Sequence, residues 1–168
     1  MKNISRSCLF FALSILIPSK IHAQKRSDLS CEDVGKITSY ALTEFREILG
    51  ELELKDSSCN YYYSKVNFGI DSTTTLQSCK GDMGKFTLHF DIYIGNDDIQ
   101  ASIEFKTLED RLEKCLPKAK AKELKPNGGY KRIVQFSDNN MRLVIYHDEI
   151  KNKDELQPLV TVLVISLL

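Results

Sequence analysis

Residues 85–106 read KFTLHFDIYIGNDDIQASIEFK, and the fold class turns on the alternation within them. Phe86, Leu88, Phe90, Ile92 and Ile94 point one way along an extended chain, and Lys85, Thr87, His89, Asp91 and Tyr93 point the other. Side chains alternate across a strand, so this pattern is a strand with one apolar and one polar face. Gly95-Asn96-Asp97-Asp98 supplies turn residues, after which Ile99, Ala101, Ile103 and Phe105 alternate with Gln100, Ser102, Glu104 and Lys106. The pattern predicts a hairpin with a buried face and a wet one.

A second hairpin is expected upstream, in CNYYYSKVNFGIDSTTTLQSC, Cys59 to Cys79. Tyr61–Val66 and Ser72–Gln77 are rich in β-formers. Facing residues of an antiparallel pair have a constant sum of positions. A turn at Phe68-Gly69-Ile70, with Gly69 at positive φ, therefore sets Cys59 opposite Cys79. Tyr62 then shares a face with Ser64, Val66 and Phe68, while Tyr61 and Tyr63 lie on the other face. Downstream, Tyr130–Phe136 and Met141–Asp148 flank Ser137-Asp138-Asn139-Asn140 as a third hairpin. Leu159–Leu168 is apolar on both faces, as a central strand is.

Two helices complete the pattern. Ser30-Cys31-Glu32-Asp33 has the form of a capping box, and Val34, Ile37, Ala41, Phe45, Ile48 and Leu52 follow at helical spacing. Thr107-Leu108-Glu109-Asp110 has the same form, and opens a short helix with Leu108, Leu112 and Cys115 on one face, closed by Pro117. PKAKAKELKPNGGY, with Lys114 just before it and Lys118, Lys120, Lys122 and Lys125 within it, is expected to be a solvated loop. The expected fold is α+β: a mostly antiparallel sheet of about six to seven strands, made of three hairpins and a C-terminal strand. A long N-terminal helix packs on one face, and the second helix is short.

MKNISRSCLFFALSILIPSKIHA has Lys2 and Arg6 ahead of the apolar run Cys8–Ile17, then Pro18, and Ala23 at its end. This is the layout of a signal peptide, residues 1–23, followed by a single domain, residues 24–168. The run is short of the roughly 20 apolar residues that a spanning helix needs. No stable membrane insertion is expected after cleavage. The full chain balances 23 basic against 23 acidic residues. Removing Lys2, Arg6 and Lys20 leaves 20 against 23, a mildly acidic domain unsuited to nucleic acid. Cleavage also removes Cys8, leaving Cys31, Cys59, Cys79 and Cys115. Four cysteines in an exported chain read as two disulfides, for which three pairings exist. The hairpin register selects Cys59 with Cys79, which leaves Cys31 with Cys115.

The sequence carries no Gly-x-Ser-x-Gly, His-Glu-x-x-His, phosphate-binding glycine loop or EF-hand loop. No catalytic, metal or cofactor residue is assigned. His89 shares a polar face with Asp91, and His147 precedes Asp148 and Glu149. By alternation His147 falls with Met141, Leu143 and Ile145, opposite Asp148, so these groups diverge. Tyr61 and Tyr63 suit a protein-binding surface. If their strand shares a sheet with residues 85–94, they join His89, Asp91 and Tyr93 on one wet face. The expected function is a secreted or periplasmic, non-catalytic binding protein of inhibitor, immunity or envelope-partner type, with a protein partner. The alternatives are a small extracellular hydrolase using His and carboxylate groups, or a small-ligand or lipid carrier.

Overall fold

The computed structural model describes residues 25–26, 28–70, 73–80, 85–126, 130–152 and 155–168. The expected signal peptide lies outside these residues, as does Ser72. In chain order the elements are β1 (Lys25–Arg26), α1 (Cys31–Ala41), a 3-10 turn (Arg46–Ile48), β2 (Leu49–Lys55), β3 (Cys59–Ser64), β4 (Thr75–Cys79), β5 (Thr87–Ile94), α2 (Asp98–Cys115), β6 (Lys120–Leu124), β7 (Arg132–Ser137), β8 (Met141–Asn152) and β9 (Glu155–Ser166). Eight strands form one antiparallel sheet in the order β2-β3-β4-β5-β9-β8-β7-β6, and the two-residue β1 pairs with β5. The architecture is α+β, with both helices against one face. α2 lies on β5, β9 and β8, and α1 on α2 and β9.

The second half of the opening stretch is a helix and not a strand. Asp97, expected in a hairpin turn, is the N-cap of α2; its carboxylate accepts from the backbone N–H of Ile99 and Gln100 at 2.9 and 3.2 Å. Ala101, Glu104, Phe105, Leu108, Glu109 and Leu112 are buried at helical spacing, whereas Ile99 and Ile103 are exposed. Thr107 lies in mid-helix. The helix expected to be short is thus the longer of the two.

The N-terminal helix is the shorter. Ser30 and Asp33 form the expected capping box: Asp33 N–H donates to Ser30 Oγ at 3.1 Å and Ser30 N–H to Asp33 Oδ2 at 3.0 Å. α1 nevertheless stops at Ala41. Glu44 and Phe45 take φ of 51° and 60°, a left-handed conformation costing a side-chain-bearing residue about 1–2 kcal/mol. Phe45 N–H bonds back to Tyr40 O at 2.8 Å. This tight reversal turns Phe45 and Ile48 back into the core, where both are buried. Leu52, expected on the helix stripe, is 52% exposed on edge strand β2. β2 and β6 are the two edge strands, and neither was expected as a strand.

The Cys59–Cys79 hairpin has the expected register. Cys59 faces Cys79, Asn60 faces Ser78, Tyr61 faces Gln77, Tyr62 faces Leu76 and Tyr63 faces Thr75. Gly69 has a different reason from the expected one, because its φ lies outside the left-handed region. The connection passes against β5, where Ile70 N–H donates to Asp91 O at 2.9 Å. A Cβ on Gly69 would sit 2.5 Å from Thr73 Oγ1, 2.8 Å from Asp91 O and 2.9 Å from Phe90 Cβ. Close approach, and not a turn conformation, excludes a side chain there.

β9 is central, between β5 and β8, and buries Val160, Val162 and Val164 under the helices. Leu88, Phe90, Leu143, Ile145, Phe105, Leu112, Ile37 and Phe45 belong to the same core. Disulfides join Cys31 to Cys115 and Cys59 to Cys79. The first links the start of α1 to the end of α2, and the second closes the open end of the β3–β4 hairpin.

Candidate functional site: the open face of the sheet

Both helices cover one face of the sheet, and the side chains of the other face are left uncovered among the described residues. Register partners lie side by side on one face. Across the open face, one row runs Tyr61, Gln77, Thr87, Ile165, Arg142, Ser137, Lys120. The next runs Tyr63, Thr75, His89, Leu163, Val144, Gln135, Lys122. A third runs Asp91, Thr161, Tyr146, Ile133, Leu124.

Four of the five expected site residues are therefore on one face. β3 and β5 lie in one sheet with β4 between them, which keeps Tyr61, Tyr63, His89 and Asp91 in phase. Tyr93 is the exception. The β5–β9 register shifts between Asp91 and Tyr93, which inserts Ile92 as an extra residue. Tyr93 then faces Val160 on the helix side, fully buried, with its hydroxyl donating to Asp97 O at 3.1 Å.

Tyr63 is 50% exposed. Tyr61 is half-buried; its hydroxyl accepts from Gln77 Nε2 at 3.3 Å and reaches Asp56 Oδ2 at 3.4 Å. Thr161 Oγ1 donates to Asp91 Oδ1 at 2.7 Å, and burial raises the Asp91 carboxyl above its ordinary value. His89 Nε2 is buried with no hydrogen-bond partner among the described residues. Burial alone pushes the imidazole down to about 4 from an ordinary 6.5.

That shift has a sign. Between pH 6.5 and 4 the unfolded chain binds a proton at His89 that the folded chain refuses, so acidification through this window removes stability. Asp91 acts the opposite way, because its folded carboxyl protonates more readily than the unfolded one. Comparing wild type with His89→Leu isolates the histidine. Wild type is expected to lose at most about 3 kcal/mol through His89 from pH 7 to 4, and the variant's profile to be correspondingly flatter. Thermal melts across pH test this. Parallel profiles would mean that His89 is solvated.

His147 sits on the opposite face, buried, as its alternation with Leu143 and Ile145 implied. Its Nε2 lies 3.1 Å from Asp98 Oδ1, which also accepts from Lys131 Nζ at 2.6 Å. The Lys131 hydrogen bond is the main reason that the Asp98 carboxyl lies below its usual range. Lys131 also pairs with Glu149 at 2.7 Å. This cluster ties the first turn of α2 to β8. The two histidines do not meet, so the hydrolase reading loses a shared site. Among the described residues no three His, Cys, Asp or Glu side chains are placed to hold a metal ion.

The far end of the open face was not foreseen. Leu124, Tyr130, Ile133, Val144, Tyr146, Leu163 and Ile165, with Lys125, Gln135 and Arg142, line a groove of about 330 Å³. The Tyr130 and Tyr146 rings lie 4.9 Å apart. Burial, and then the neighbouring Tyr130, raises the Tyr146 phenol. The signal was present in the alternation of Arg142, Val144 and Tyr146 against Met141, Leu143 and Ile145. The lysine segment also belongs here in part, since Lys120 and Lys122 stand on edge strand β6. Lysines on an edge strand discourage pairing with other chains.

The fold and its surface thus define a class: an α+β domain with two disulfides, helices on one sheet face and, among the described residues, the other face open. No family model matches the chain, and neither a curated protein nor a solved structure matches it. No helix among the described residues is long and apolar enough to cross a membrane.

Proposed function

We propose that the chain is an exported binding protein without catalysis, secreted or periplasmic and of inhibitor, immunity or envelope-partner type. It recognises a protein partner through Tyr61 and Tyr63, at the end of the open face that also carries the more buried His89 and Asp91. The observation that carries this reading is the shared face itself. Tyrosines supply large contact area with few rotatable bonds, and Tyr63 stands half exposed, its hydroxyl without a hydrogen bond among the described residues. The disulfides and the apolar leader fit an oxidising compartment.

The test is a native pull-down of the tagged protein from its own organism's envelope and medium, followed by titration of the stoichiometric partner. Tyr61→Ala/Tyr63→Ala is expected to weaken that binding by about thirtyfold or more while the melting temperature stays near wild type. Unchanged affinity in the double variant would remove this face from the reading.

A further inference from the structure

We propose that the groove at the β6–β9 end of the open face binds a small amphiphilic anion, an apolar chain carrying one carboxylate-like head. This goes beyond the partner-binding reading and does not depend on it, because Tyr61 and Tyr63 are at the other end of the sheet.

The floor of the groove is apolar. Ile133 and Val144 are 5% and 4% exposed, and Leu163 and Ile165 continue it. None of these four belongs to the core beneath the helices. The sheet therefore carries a second apolar layer, which no helix among the described residues covers. The paired rings of Tyr130 and Tyr146 form a wall against this floor. A volume of about 330 Å³ is at the small end of ligand sites, which combine an apolar lining with a few polar groups.

The sign of charge selects the ligand. Among the described residues the lining contains Lys125 and Arg142 and no carboxylate. Four arginines have described side chains. Arg46, Arg111 and Arg132 are each paired with an acid, whereas Arg142 has no ion pair among the described residues. Lys125 has none either. Lys120 and Lys122 stand on the same face one strand further out; Asp91 is the one acid in the three rows, and Asp148, two residues beyond Tyr146 on β8, is the next acid along that face. A domain expected to be acidic overall thus presents a cationic quarter around an apolar floor. An anionic head gains charge-assisted hydrogen bonds there, and a cationic head is repelled. Arg142 and Tyr146 are four residues apart on one strand, about 13 Å at the usual rise. A medium-chain carboxylate extended along β8 spans that distance with its head at one cationic end.

The probes are decanoate, decanol and decyltrimethylammonium, titrated calorimetrically below their micelle concentrations. Decanoate is expected to saturate at one per chain, about tenfold or more tighter than decanol, with the ammonium weaker still. Methyl resonances of Val144 and Leu163 should shift with decanoate. Arg142→Gln and Lys125→Gln report which end holds the head, and the double variant should bind decanoate no better than decanol. Both positions are at the surface, and circular dichroism verifies the fold. Equal affinity for decanoate and decanol in wild type, shifts confined to other residues, or a preference retained by the double variant would each overturn the proposal. The Tyr61→Ala/Tyr63→Ala protein should bind decanoate as wild type does, so the two surfaces are judged separately.

Discussion

Phe105→Ala is expected to cost about 3–5 kcal/mol of stability, and Ile103→Ala less than about 0.5. The two positions are two residues apart. In a strand they share a face and would lose similar amounts; in a helix they point to nearly opposite sides. Phe105 is 1% exposed and Ile103 52% exposed. The Phe105 ring faces His147 at 6.3 Å, and the Arg132 guanidinium lies over it at 4.9 Å. Truncation therefore opens a cavity where α2 meets the sheet and removes a cation–π contact from Arg132. Urea unfolding of the two single variants measures the asymmetry. Equal losses would put residues 99–105 back into a hairpin.

This pair of residues also locates where the sequence misleads. Over Ile99–Phe105 a period of two fits the apolar residues. The helical face that α2 actually buries includes two acids, Glu104 and Glu109, at 5% and 8% exposure. A hydrophobic stripe interrupted by glutamates does not read as one. Their partners make the burial tolerable: Gln100 Nε2 donates to Glu104 at 2.8 Å, and Lys106 and Arg132 reach Glu109 at 3.0 and 3.2 Å. Arg132 comes from β7, a contact that no local pattern announces. α1 shows the converse. Its apolar spacing runs unbroken through Phe45 and Ile48, but the chain leaves the helix by a left-handed reversal without glycine or proline to mark it. Edge strands β2 and β6 are held by backbone pairing on one side, and burial imposes little alternation on them.

What was legible had a local cause. The β3–β4 register follows from one arithmetic centre and two cysteines, and the two-sided apolarity of residues 159–168 follows from a central position. Of the site, Tyr61, Tyr63, His89 and Asp91 could be put on one face because alternation holds through β3 and β5. Tyr93 was lost to one inserted residue. The groove needs the order β9-β8-β7-β6, which is tertiary information.

Removing the Cys31–Cys115 disulfide by Cys31→Ala/Cys115→Ala is expected to cost about 4–5 kcal/mol, against about 3 for Cys59→Ala/Cys79→Ala. The difference follows from loop length: 84 residues separate the first pair and 20 the second. For a domain of this size the first loss lowers the melting temperature by about 10–15 °C. Packing points the same way. The β3–β4 register is also held by the ladder from Asn60–Ser78 to Tyr63–Thr75, so the hairpin survives without its sulfur link. α1 has 11 residues, too few to persist without tertiary contacts. The bond to α2 holds its first residue in place beneath the capping box. Cys31 is exposed, while Cys115 is half-buried against the core, so the measured change reports the link plus a small packing loss at Cys115. Denaturant midpoints of the two double variants, beside reduced wild type, test the order. A greater loss from the hairpin pair would show that the helix layer is secured by its apolar contacts and not by the bond.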